Sequence, residues 1–147
     1  MNARFVTILA GSVLALNSLG VSAEALPDDA KLYKSPSCGC CDDYADHLRS
    51  KGIDVEVIDT EDMNRIKKDA GLPYGEGACH TTVMGDYVIE GHVPFVAIEK
   101  LFDETPDVDG ISLAGMPIGT PGMPGPQEEP YEVKRFKDRE ASAFMTL

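Results

Sequence analysis

Three cysteines within four residues, Cys38-Gly39-Cys40-Cys41, stand where a strand pattern gives way to a helix pattern. No other feature of the chain limits its fold so strongly. Before them Ala30-Lys31-Leu32-Tyr33 alternates apolar with polar, the period of a strand. Ser35-Pro36-Ser37 then turns the chain. From Cys41 to Lys51 the spacing becomes helical, with Cys41, Tyr44, Ala45 and Leu48 on one face. Asp42 and Asp43 occupy its first turn, where the helix dipole favours acids, and Gly52 ends it. Cys38 is thereby placed at a helix head, where backbone N–H groups stabilise a thiolate. Cys41, three residues on, brings its sulfur near that of Cys38, the spacing of a redox pair.

Further along, Ile53 to Ile58 alternates as a second strand. Thr60 is expected to cap a helix over 61–70, with Met63, Ile66 and Ala70 facing inward and Gly71 as its stop. Thr82-Val83-Met84 and Tyr87-Val88-Ile89 flank Gly85-Asp86 and read as a hairpin. Pro94 opens a helix that runs through Phe102. The order strand, helix, strand, helix, hairpin, helix predicts an α/β fold, a mixed sheet flanked by helices. Residues 110–130 are rich in Gly, Pro and Met and predict an irregular C-terminal extension. Tyr131 to Phe136 reads as a final strand, with the last residues frayed. The domain boundaries that follow are a leader over 1–23, a metal-binding domain over 24–109, and an extension over 110–147 that contributes to the metal site.

The leader rests on Arg4, a nearly continuous apolar run from Phe5 to Val21, and small residues at Val21-Ser22-Ala23. That order is a secretory signal, which places the mature chain in a periplasm. Asn17, Ser18 and Gly20 interrupt the run, so it makes a poor span for a bilayer that needs ~20 apolar residues. Residues 1–23 hold Arg4 and no acid, so their removal takes the formal charge from −12 to −13. Such a surface repels nucleic acid and anionic membrane and mildly concentrates cations. Neither nucleic acid nor membrane is expected as a partner, and the mature chain is expected to be a monomer.

Cys40 is a third thiol beside the pair, and it invites scrambled disulfides in a redox enzyme. Three thiolates at one helix start suit a soft metal better. No second Cys-x-x-Cys or spaced histidine pair follows, which weakens a zinc-finger reading. Three sulfurs so close in sequence do not easily surround one tetrahedral ion, whereas thiolates bridging more than one Cu(I) ion relieve that constraint. Cys79-His80 adds a fourth thiol with an imidazole next to it, just before the hairpin. In a sheet so wound, the loop before the third strand packs against the head of the first helix, so Cys79 should face the three cysteines. The alternative is a Cys79 disulfide to one of the three, with His80 an ordinary loop histidine. His92, between Gly91 and Val93-Pro94, is a further ligand candidate, and His47 is expected at the surface. Gly115-Met116-Pro117 and Gly122-Met123-Pro124 repeat a triplet whose thioethers are soft donors that favour Cu(I). The alternative for Met116 and Met123 is packing, the role expected of Met63 and Met84.

From about Leu32 to Phe136 the chain resembles the CopG family of periplasmic copper-resistance proteins. The blocks that carry this are Ser-Pro-Ser-Cys-Gly-Cys-Cys, Cys-His-Thr before the hairpin, Tyr-Val-Ile-Glu-Gly-His-Val-Pro, and Gly-Met-Pro followed by Pro-Gly-Met. The resemblance implies a thioredoxin-like domain, an extension closing over the site, copper binding, and Cu(I)/Cu(II) redox handling, hence a copper-dependent oxidoreductase. It carries Cys38, Cys40, Cys41 and Cys79 over as ligands, followed by Met116, Met123, His80 and His92. Against true thioredoxins, Ser37 stands where a tryptophan precedes the first cysteine, and His80-Thr81 stand near the position of a cis-proline. The competing readings are a metal-free thiol–disulfide oxidoreductase using Cys38 and Cys41, and a copper chaperone serving a copper-handling partner.

Overall fold

A computed structural model describes residues 25–147; the leader expected over 1–23 lies outside the described residues. Strand β1, Asp29–Lys34, buries Ala30, Leu32 and Lys34 on one face. Helix α1, Gly39–Ser50, buries the four predicted residues Cys41, Tyr44, Ala45 and Leu48. Strand β2, Asp54–Asp59, lies parallel to β1.

Helix α2 is short, Met63–Asp69, and its cap is Asp62 rather than Thr60. The Asp62 carboxylate accepts the Arg65 N–H at 3.2 Å, while the Thr60 hydroxyl accepts the Asp62 N–H at 3.1 Å. Asp62, two residues closer to the helix, takes the role because its side chain reaches the free N–H. None of the helix residues is buried; Met63, Ile66 and Ala70, on the expected inward face, are half-covered where Asn64, Arg65, Lys68 and Asp69 are exposed.

Strands β3, His80–Met84, and β4, Tyr87–Glu90, form the expected hairpin. Gly85 has φ +54° at the first central position, where a II′ turn needs glycine. Helix α3, Phe95–Glu104, follows Pro94 and packs Ala97, Ile98, Leu101 and Phe102 into the core.

Two expectations for the C-terminal part are corrected. Residues 110–112 are not irregular but form strand β5, Gly110–Ser112, parallel to β4. The last residues are not frayed: β6, Glu132–Lys137, turns through Asp138-Arg139 into β7, Glu140–Thr146. The single mixed sheet has the order β2-β1-β3-β4-β5-β6-β7. Residues 113–131 do run irregularly, apart from an isolated bridge between Ala78 and Gly115. Among the described residues no helix is long and apolar enough to cross a membrane.

Candidate metal centre

The first turn of α1 and the segment entering β3 meet at one end of the sheet. Cys38 is the N-cap of α1, in extended backbone, held by a turn in which its N–H donates to Ser35 O at 3.0 Å. Its side chain makes no capping bond, which leaves the sulfur free for other chemistry. β1 and β3 pair antiparallel with Lys34 opposite His80, so the exit of β1 and the entry of β3 lie side by side. This register brings Cys79 to the cysteine turn. The Sγ atoms of Cys38, Cys40, Cys41 and Cys79 all lie within 4.8 Å of one another.

Cys38 and Cys41 are joined as a disulfide, while Cys40 and Cys79 are free and half-buried. The expected facing of Cys79 is therefore found, and the disulfide that forms does not involve it. Cys40 Sγ lies 3.5 Å from Cys38 Sγ. Burial pushes the Cys79 thiol up from its ordinary value, and the neighbouring Cys40 pushes it the same way. A soft cation entering here must displace the thiol proton, so occupancy and proton release are linked.

Met116 is brought to the same place by the main chain. Gly115 N–H donates to Gly77 O at 3.1 Å, and the Ala78–Gly115 bridge aligns the two segments. Met116 Sδ thus sits 2.8 Å from Cys79 Sγ, with about half of the residue exposed at 53%. Beyond it, Thr120 Oγ1 donates to Pro117 O at 2.7 Å and Met123 N–H to Thr120 O at 2.8 Å. The next contact seats the segment on α1. A Cβ on Gly122 would lie 2.8 Å from both Cys40 O and Tyr44 N. Met123, half-buried, therefore belongs to a strap lying directly on the first turns of α1.

The two candidate histidines form a separate buried pair beside that strap. The His80 and His92 ring centroids are 4.7 Å apart, and both rings lie against Tyr44, at 4.5 and 5.5 Å. His92 Nδ1 is 2.8 Å from Pro121 O. A carbonyl only accepts, so Nδ1 carries the proton and Nε2 keeps its lone pair. Among the described residues that buried Nε2 has no hydrogen-bond partner, and neither do the ring nitrogens of His80. Burial pushes His80 down to about 3, and His92 and Lys67 push it the same way, so its ring is neutral. Burial likewise lowers His92. Two neutral imidazoles with unused nitrogens have the chemistry of metal ligands, and buried polar atoms are otherwise paired.

His47, expected at the surface, is half-covered instead. Its ring stacks 6.4 Å from Tyr44, and its buried Nε2 has no hydrogen-bond partner among the described residues. The reason is its place one turn beyond Tyr44, on the flank of α1 that the helical period left ambiguous.

Sequence reasoning missed the role of Glu90. Its side chain is wholly buried and ion-paired with Lys67 of α2. Ala78 N–H donates to its Oε1 at 2.7 Å and Thr81 Oγ1 to its Oε2 at 2.6 Å. The only sequence signal was an acid ending an apolar strand, with its cation far away in the chain.

Residues 77–123, from just before Cys79 to Met123, match the family described as "Protein of unknown function, DUF411". Two solved structures are similar over nearly their whole length. One, named "Copper resistance protein copG- Form 1", is 36% identical, with 82% of this chain and 98% of that chain covered at a TM-score of 0.75. The other, "Copper resistance protein copG- Form 2", has the same identity and coverage at a TM-score of 0.76. No curated protein matches the chain.

Proposed function

The chain belongs to the copper resistance protein CopG family, and from that premise we propose that it holds Cu(I) outside the cytoplasm as a thiolate-bridged cluster of more than one ion. The observation that carries this reading is the convergence of four cysteine sulfurs within 4.8 Å from two separate parts of the chain. Thiolates and thioethers select soft Cu(I) over hard cations, and the donors that converge here are sulfur. Cys38, Cys40, Cys41 and Cys79 are assigned as the thiolate ligands. Met116 caps the exposed side, and Met123, with the strap, covers the head of α1. His80 and His92, a buried pair beside the strap, offer neutral nitrogen, which suits an ion that passes between Cu(I) and Cu(II).

The Cys38–Cys41 disulfide withholds two of the four thiols, so the reduced protein is the form expected to fill. Anaerobic titration of reduced protein with Cu(I), read by X-ray absorption, tests the proposal. More than one equivalent per chain in a mainly sulfur shell is expected. A single equivalent in a nitrogen and oxygen shell would overturn the cluster.

The same disulfide favours a second reading, a metal-free thiol–disulfide oxidoreductase using Cys38 and Cys41. Turnover of a disulfide substrate by copper-free protein, abolished by Cys38→Ser but not by Cys40→Ser, would favour it over copper storage.

A further inference from the structure

The segment that carries Cys79 and His80 into the centre pairs with β1 at His80 and is also held at both ends by one side chain from β4. Glu90 Oε1 accepts the Ala78 N–H at 2.7 Å, and Oε2 accepts the Thr81 hydroxyl at 2.6 Å. Cys79 and His80 are the two residues between these anchor points. The main chain of the same residue holds the other arm: Glu90 O accepts the Leu113 N–H at 3.0 Å, just past β5 on the segment that leads to Gly115 and Met116. Lys67 Nζ pairs with Oε1 and also donates to Thr81 Oγ1 at 3.2 Å. Immediately after Glu90, Gly91 has φ +79°, and a Cβ there would lie 2.6 Å from both Ala78 Cβ and Leu113 O. The two arms are thus drawn in over Glu90-Gly91 as tightly as a backbone allows.

A buried ion pair is a weak source of stability, because well-packed apolar residues of similar volume serve as well or better. What a carboxylate provides and a leucine does not is direction, with one oxygen aimed at each end of the segment. We propose that Glu90, neutralised by Lys67, is the positioning residue that holds the Cys79 arm and the Met116 arm together at the copper site. It touches no ligand sulfur itself. It fixes the backbone from which Cys79 Sγ reaches Cys40. This inference rests on the copper reading for its purpose, but the geometry it asserts is open to a test without copper.

The test uses the metal-free protein with the Cys38–Cys41 disulfide intact, so that Cys40 and Cys79 are its two thiols. Phenylarsine oxide bridges two neighbouring thiols: each S–H is exchanged for an S–As bond and the arsenic-bound oxygen leaves as water, with no change of oxidation state. Its rate of bridging reads how closely the two sulfurs are held. The double change Glu90→Leu with Lys67→Met removes both anchors without leaving a charge unpaired. It should keep the cooperative thermal transition but slow bridging at least tenfold. Glu90→Gln with Lys67→Met retains an acceptor for Ala78 N–H and a partner for Thr81, and should recover most of the rate. Thr81→Val, a nearly isosteric change that releases one anchor, gives an independent measure if the leucine variant does not fold, and should slow bridging severalfold.

Wild-type rates in folded Glu90→Leu/Lys67→Met, or in Thr81→Val, would overturn the positioning role. Cu(I) titration of the same proteins separates the two claims. Wild type that is bridged by the arsenical but takes up no Cu(I) removes the copper reading and leaves the positioning role standing. Variants that lose bridging should also lose intensity in the sulfur-to-copper charge-transfer band, and an unchanged band in such a variant counts against Glu90 as surely as an unchanged rate.

Discussion

Cys79 sits at the point where the site closes, since its sulfur reaches the α1 cysteines from another part of the chain. Serine at this position keeps the size and substitutes a hard oxygen for a soft donor. Cys79→Ser is expected to fold normally and to bind fewer Cu(I) ions per chain, and equal stoichiometry at equal affinity would remove Cys79 from the ligand set. His80 gives a second residue-level expectation, in the copper-free protein. Its ring is held neutral in the fold, down to about 3 from an ordinary 6.5, mainly by burial. Between those two values the unfolded chain binds a proton that the folded chain does not. Stability from this group is therefore fully present above about pH 6.5 and is lost as pH falls toward 3, by on the order of a few kcal/mol. His80→Gln should show a shallower loss of stability across that acid range in urea titrations at stepped pH. Parallel slopes in mutant and wild type would mean the ring is hydrated or charged in the fold. The cysteines and histidines were legible in the sequence because their chemistry is carried by residue type. Glu90 was not, because its meaning depends on Lys67, Ala78 and Thr81, which only the folded chain brings to it.

Among the elements, those with a strong period were readable and those made by pairing were not. α1 announced its buried face through Cys41, Tyr44, Ala45 and Leu48, and the hairpin through Gly85. β5 is three residues long, too short for alternation, and its Gly110 reads as loop. The glycine is there because a Cβ would lie 2.0 Å from Val88 O, so the strand owes its place to a close backbone approach. β7 is mostly exposed and exists through its ladder with β6, which no amphipathic pattern could signal. The strap from Gly115 to Met123 is irregular yet specified by contacts of its own, with Tyr131 Oη donating to Ile118 O at 2.8 Å and Gly122 resting on α1. Gly122→Ala tests this. The new Cβ would press on Cys40 O and Tyr44 N, at a φ of +79° that disfavours a side chain. A loss of about 1–3 kcal/mol is expected, together with faster proteolysis within 115–125 while the core transition stays cooperative. Unaltered protease resistance would show that the strap does not need its seat on α1.

At the scale of the molecule, the proposed centre draws on three stretches far apart in the chain: 38–41 on α1, 79–80 entering β3, and 116–123 in the strap. A ligand held by all three binds the folded chain and has no equivalent site in the unfolded one. By mass action it stabilises the fold as RT ln(1 + [L]/Kd), about 4 kcal/mol at a thousandfold excess over Kd. The redox state of Cys38 and Cys41 sets how much of that is available. With the disulfide closed, Cys40, Cys79 and Met116 remain as sulfur donors, enough for one ion in a three-sulfur site; reduction by two electrons and two protons restores the full set. Reduced protein should therefore gain several degrees in Tm on Cu(I) loading, and oxidised protein clearly less, with both gains reversed by a Cu(I) chelator. Slower hydrogen exchange should appear together in α1, the Cys79 segment and the strap, because one ligand joins them. If copper instead binds reduced protein at full stoichiometry without moving Tm or exchange, the cysteines of α1 are taking the metal as a flexible peptide would. The long-range part of the site, built through the β1–β3 register and the strap, would then have no share in it.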